Sequence, residues 1–123
     1  TTGSHDTSTI RGWWREDRAT TQAYYNEILW KEGYAPAEAS GEICHTIVNN
    51  HLLSPAALTI LPLQDWLSID ESVRKEDADS ERINIPAIAN HYWRYRMHLT
   101  VEELLTKESL NEKIKGMVEA SGR

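Results

Sequence analysis

The sequence predicts a mostly α-helical fold with one or two short strands. Apolar residues recur at i,i+4 in separate stretches. A helix-start signature stands at Thr100. One short unbroken apolar run, Ala56 to Leu61, has the character of a buried strand. At 123 residues the chain suits a single domain.

The opening stretch, Thr1 to Thr9, is small and polar. The first helix is expected from Thr20 or Thr21 to Gly33. There Tyr24 pairs with Ile28 and Tyr25 with Leu29, and Gly33 supplies the C′ residue. A second helix is expected to begin with Pro36 in its first turn, where a missing N–H costs nothing. Ala39, Ile43 and Ile47 form its stripe, flanked by Cys44 and Val48. It should stop before Ser54-Pro55, because the residue ahead of a proline disfavours the helical region.

Ala56 to Leu61 lies between Pro55 and Pro62 and reads as a fully buried strand of the parallel kind. One such strand cannot satisfy its own N–H and C=O groups, so partner strands are expected outside this chain. Gln64 and Asp65 follow its end, the edge on which α/β folds build sites. Residues 72–82 are mostly charged and read as an exposed loop or short helix. Thr100-Val101-Glu102-Glu103 forms a capping box, with Leu99 positioned to staple onto Leu104. A last helix carries Leu110, Ile114, Met117 and Val118 on one face and stops near Gly122.

Composition excludes several function classes. The net charge of −6 argues against a nucleic-acid partner, which requires clustered Lys and Arg. No apolar run is long enough to span a bilayer, so no membrane role is expected. The single cysteine, Cys44, permits no internal disulfide and fits a reducing, cytoplasmic compartment. Five Trp and five Tyr suit sugar faces and protein cores equally well.

Chemistry-bearing residues are few. His5-Asp6 sits in a polar loop, where it is either a cap or solvated tail, or an anion placed to bind hydroxyls and stabilise positive charge. Glu42-Ile43-Cys44-His45 has the Glu-x-x-His spacing of di-iron bundles. A single copy does not make such a site, and no zinc-ligand spacing is present. Cys44 lies on an apolar stripe and reads as an inert buried thiol. Trp13 and Trp14 read as packing residues. Tyr92 to Arg96 interleaves aromatic and basic residues; packing of Trp93, Tyr95 and Met97 with Arg94 and Arg96 ion-paired is expected, with sugar stacking by Trp93 the other reading. Asp65 is either a site-edge carboxylate or a helix cap.

Five segments together carry a resemblance. Ser4-His5-Asp6-Thr7-Ser8-Thr9-Ile10-Arg11-Gly12-Trp13-Trp14 resembles the His-Asp loop of glycoside hydrolase family 77. Ile60-Leu61-Pro62-Leu63-Gln64-Asp65-Trp66-Leu67 is similar to its Pro-Leu-Gln-Asp-Leu-Leu segment, and Glu81-Arg82-Ile83-Asn84-Ile85-Pro86 to its Ala-Arg-Met-Asn-x-Pro loop. His91-Tyr92-Trp93-Arg94-Tyr95-Arg96, with Ser121-Gly122-Arg123, resembles the branch that includes the plant cytosolic disproportionating enzyme. The chain departs from the pattern at Ile83, at Ala87 after Pro86, and at Ser68-Ile69-Asp70-Glu71.

The resemblance implies a 4-α-glucanotransferase that moves α-1,4-glucan segments between maltodextrins or glycogen with retention. It implies a (β/α)8 barrel, which needs roughly 250 residues. Residues 1–123 would then be the C-terminal portion of that barrel, from the loop after the seventh strand to the final helix, with Ala57 to Leu61 as the eighth strand. Asp6 is implied as a catalytic carboxylate, His5 and Asn84 as substrate-binding residues, and Arg82 as the residue ordering the Asn84 loop. The nucleophile and the general acid/base would lie upstream of Thr1. No metal or cofactor is implied. The implied partners are an α-1,4-glucan and the remainder of the barrel, and the isolated piece is expected to self-associate. The other reading is a non-catalytic module binding glucan or protein through its Trp/Tyr surface.

Overall fold

The computed structural model describes all residues from Thr1 to Arg123. It contains six α-helices and no strand: α1 (Ile10–Glu16), α2 (Arg18–Glu27), α3 (Gly41–Leu52), α4 (Leu63–Ser68), α5 (Val101–Leu105) and α6 (Glu108–Ala120), with one 3-10 turn at Asp79–Glu81. The mostly α expectation holds, and the expected strand is absent.

The first helical region differs from the prediction at both ends. Asp17 is extended and breaks the chain into α1 and α2. Its Oδ1 accepts from Ala19 N at 3.0 Å, which sets the start of α2 ahead of Thr20. The end of α2 is fixed by Trp30, whose φ of 54° is left-handed, and not by Gly33, which lies three residues further on. Side chains hold the following loop: Gln22 Nε2 donates to Gly33 O at 2.9 Å and Asn26 Nδ2 to Lys31 O at 2.7 Å.

The core forms where α1, α3, α4 and α6 meet. Trp14, Cys44, Val48, Leu67 and Leu110 are fully enclosed. Trp14 packs as expected and donates its indole N–H to Pro36 O at 2.9 Å. Ala39, Ile43, Ile47 and Val48 line the buried face, as their spacing predicts. Pro36 stays outside α3, because Ser40 is the cap: its hydroxyl accepts from Ile43 N at 3.2 Å. A Cβ at Gly41, at the start of α3, would crowd Ile69 O at 3.0 Å, so glycine fits closest there. Burial pushes the Cys44 thiol above its ordinary range. The folded chain is therefore expected to react with a thiol reagent only on unfolding, which a reactivity time course with and without denaturant checks.

Residues 56–61 are not buried: Leu58 is 73% and Ile60 63% exposed. The physical reason is the one that made the strand incomplete from the start. These 123 residues offer no neighbouring strand to pair its backbone. The start of the segment is instead pinned by Arg123, whose guanidinium donates to the carbonyls of Leu52, Ser54 and Ala56.

Residues 72–82 also depart from the expected exposed loop. Val73, Ala78 and Glu81 are buried, and the segment folds back over α1. The capping box at Thr100 forms as read, with Thr100 N donating to Glu103 Oε2 at 2.7 Å and Glu103 N to Thr100 Oγ1 at 3.1 Å. Leu99 and Leu104 are both half-buried against the core. In α6, Leu110 and Met117 are buried and Ile114 and Val118 pack beside them.

Asp70 ties α6 to the turn that follows α4. Its Oδ1 accepts from the Ser72 hydroxyl at 2.7 Å, and its Oδ2 from Lys113 Nζ at 2.9 Å. The Ser72 and Lys113 bonds hold its carboxyl at about 2, below the ordinary 3.8. A depressed folded value stabilises the fold above the unfolded value and is lost on acidification. The thermal midpoint should therefore fall between about pH 4 and pH 2. Asp70→Asn should flatten that slope in a pH series of melts.

No helix is long and apolar enough to cross a membrane. No group of three His, Cys, Asp or Glu side chains is arranged to hold a metal ion. Glu42 of the Glu-x-x-His segment is engaged by Lys31 Nζ at 2.8 Å.

Candidate active site

The loop ahead of α1 is a tight polar turn. Thr7 N donates to Ser4 O at 3.2 Å, and Ser4 N donates to Thr7 Oγ1 at 2.7 Å. This turn lifts His5 and Asp6 out of the chain with about half of each side chain exposed. Its downstream end is fixed by α1. Asp65 Oδ1, fully buried in α4, accepts from Ile10 N at 2.9 Å, and its Oδ2 accepts from the Thr2 hydroxyl. Asp65 thus caps α1 from another helix and brackets the turn from both sides; it is not a site-edge group. Burial raises its carboxyl above the ordinary range, partly offset by the Thr2 and Ile10 bonds.

The Asn84 loop meets this turn. Asn84 Nδ2 donates to Asp6 Oδ1 at 2.6 Å, and Asn84 N donates to His5 O at 3.1 Å. His5 Nε2 lies 3.4 Å from the same Asp6 oxygen. The three residues singled out in the sequence therefore form one cluster, although 78 residues separate Asp6 from Asn84. Arg82 orders the loop, donating from Nε to Asn84 O at 3.0 Å and from Nη1 to Glu16 Oε1 at 3.4 Å.

Below the cluster lies a buried ion pair that no sequence pattern indicated. Arg11 and Glu81 are 4% and 2% exposed, with Nη1 to Oε1 at 3.0 Å. Arg11 also donates to Lys75 O at 2.7 Å and Glu76 O at 2.8 Å. Gln64 Nε2 donates to Glu81 O at 3.2 Å. Together these bonds clamp α1, which follows the His5-Asp6 turn, to the segment leading into Asn84. A cavity of about 200 Å³ opens between them, lined by Ser4, His5, Ser8, Gln64 and Arg82 with Leu61 on one wall.

The aromatic-basic segment behaves differently from the packing expected of it. Trp93 is 59% exposed and sits against His5, ring centroids 4.7 Å apart. Arg94 lies over the Tyr92 ring at 4.8 Å, and neither it nor Arg96 forms an ion pair. Only Met97 of the expected trio packs on the core, while Tyr95 receives Lys75 on its face at 5.2 Å. No helix or strand holds this segment, and Trp93 lies against the His5 loop and not in an interior.

Chemically, the cluster presents one carboxylate with a neutral donor on one oxygen and open space beyond. Such a group can accept sugar hydroxyls and stabilise developing positive charge. It lacks a second carboxylate: Glu16, the acidic neighbour, is engaged by Ser8 and Arg82. Retaining glycosyl transfer needs two carboxyl groups about 5–5.5 Å apart, and this cluster presents one.

The sequence model of the family described as 4-alpha-glucanotransferase, glycoside hydrolase family 77, matches residues 1–101. The chain is 35% identical to the 4-alpha-glucanotransferase DPE2 of Oryza sativa subsp. japonica, an alignment covering 97% of this chain and 13% of that protein. It is 29% identical to the chloroplastic/amyloplastic 4-alpha-glucanotransferase of Solanum tuberosum, over 78% of this chain and 14% of that protein. It is 27% identical to the 4-alpha-glucanotransferase of Chlamydia caviae, over 90% of this chain and 21% of that protein. The chain therefore spans about an eighth to a fifth of the length of these relatives. No solved structure matches it. With the family match covering the His5-Asp6 turn, the Gln64-Asp65 helix and the Asn84 loop alike, the chain belongs to glycoside hydrolase family 77, the 4-alpha-glucanotransferase family.

Proposed function

We propose that this chain contributes the Asp6 side of the donor subsite in a 4-α-glucanotransferase acting on α-1,4-glucans. The observation that carries the reading is the convergence of Asn84 and His5 on one Asp6 oxygen, in a chain of this family. Asp6 holds hydroxyls of the sugar next to the cleaved bond and stabilises the oxocarbenium-like transition state. A fixed anion beside developing positive charge favours the transition state over the ground state. Asn84 holds the Asp6 carboxylate in place and contacts the sugar on the donor side. His5 hydrogen-bonds the same sugar. The nucleophile and the acid/base come from a part of the (β/α)8 barrel outside these residues.

The exposed residues Leu58 and Ile60 support this reading, since they lie on the surface a barrel strand would bury against its neighbours. Residues 57–61 would be the eighth strand and α6 a closing helix. A cytoplasmic location belongs to the same reading and is supported by the lone buried Cys44. The 123 residues alone are expected to release no glucose from maltotriose and to self-associate through the uncovered apolar run. An enzymatic glucose assay checks the first point; steady glucose release by the purified chain would overturn the placement of the other two carboxylates. Sedimentation at high concentration checks the second, and a strict monomer would count against it.

A further inference from the structure

We propose that Trp93 is a positioning residue that holds the His5 imidazole in place for the sugar beside Asp6; this rests on the function proposed above. The His5 and Trp93 rings lie 4.7 Å apart at 39°, a close tilted aromatic contact. Few other restraints act on the imidazole. Its side chain is half exposed, and its one polar neighbour is Asp6 Oδ1 at 3.4 Å. The backbone of His5 is held by Asn84, but that bond leaves the ring free to turn about its side-chain torsions. Trp93 supplies the missing wall.

Core packing does not account for where Trp93 sits. At 59% exposure it stands apart from the buried cluster. Its position is set by anchors on both sides along the chain. Upstream, His91 Nε2 makes a hydrogen bond with Ile83 O at 3.1 Å, next to Asn84. Downstream, Tyr95 lies under Lys75 and Met97 packs on the core. The segment that carries Trp93 is thus tied to the same loop that carries Asn84. The imidazole and the amide reach Asp6, and the indole stands against the imidazole.

A ring that acts through His5 leaves a particular kinetic pattern. In the full natural protein carrying these residues, Trp93→Ala should lower kcat on maltotriose about tenfold, the scale of a misplaced contact group, with KM little changed. Trp93→Phe should recover most of the loss. His5→Ala with Trp93→Ala should be no slower than His5→Ala alone, because the two residues act through one interaction. Losses that multiply in the double variant would overturn the proposal and give Trp93 its own role, such as direct stacking on sugar. So would an unimpaired Trp93→Ala beside an impaired His5→Ala. If His5→Ala and Asp6→Asn both turn over normally, the function proposed above falls, and the proposal with it. A measurement that needs no activity guards against a misfolded variant. The ring protons of His5 should show an upfield shift from the indole that Trp93→Phe reduces and Trp93→Ala abolishes. An unshifted His5 in the unaltered protein would overturn the contact itself.

Discussion

Asp6→Asn in the full natural protein is expected to reduce kcat on maltotriose by about 10²–10³, with KM changed far less. The substitution preserves shape and retains an oxygen able to accept from Asn84, so the turn should keep its geometry. It removes the negative charge, whose effect is greatest when positive charge develops on the sugar. An interaction that strengthens in the transition state appears in kcat, whereas one equal in both states appears in KM. Fold is not at stake, because about half of Asp6 is exposed and the turn is closed by Ser4 and Thr7. An unchanged melting temperature beside a large kcat loss is the expected pair of observations.

The second large effect is on stability. Arg11→Ala should cost about 3–5 kcal/mol, the cost of leaving a buried charge without its partner. Glu81 is nearly inaccessible, and its Oε2 already has no hydrogen-bond partner. Removing Arg11 also strips the carbonyls of Lys75 and Glu76 of their donors. Against a typical total of about 5–15 kcal/mol, this is enough to unfold much of the chain. The urea midpoint measures it. Replacing both partners together, Arg11→Met with Glu81→Leu, should recover most of the loss, since an apolar pair leaves no unpaired charge.

The same pair sets a pH dependence of defined sign. Burial raises the Glu81 carboxyl above its ordinary 4.5, with Arg11 acting in the opposite direction. A raised carboxyl binds its proton more readily in the folded state than in the unfolded one. Stability therefore falls as pH rises through the window above 4.5. Without Arg11 that window widens upward, so the Arg11→Ala penalty should shrink on acidification. Asp70 runs the other way, with its window below about pH 4.

The elements that could be read from the sequence are those whose cause is local. Thr100 and Glu103 exchange bonds over three residues, so their spacing alone reveals the cap. Ile43 and Ile47 lie one turn apart, so periodicity finds their buried face. Helix α1 is not legible locally, because Gly12 and two adjacent Trp are weak helix formers and its start is secured by Asp65 from 55 residues away. The run Ala56 to Leu61 shows the limit of an apolar pattern. It indicates that a segment is suited to burial, but not whether the partner that buries it lies on the same chain.

The candidate site divides along the same line. His5, Asp6 and Asn84 were found by motif likeness, and their meeting is a contact between segments far apart in sequence. Trp93 stands in the sequence as an aromatic among basic residues, but its neighbour is 88 positions away and no spacing rule connects them. Glu81 lay inside a charged run that reads as solvated. Burial of such a carboxylate becomes visible only once Arg11 is seen beside it.

The most direct test is the product pattern from maltotriose incubated with the full natural protein that carries these residues. Glucose together with a ladder of longer maltodextrins, all with α-1,4 linkages, is the expected result. It should be lost when Asp6→Asn is introduced. Unchanged maltotriose, or the same ladder from the Asp6→Asn protein, would contradict a transferase that depends on this carboxylate.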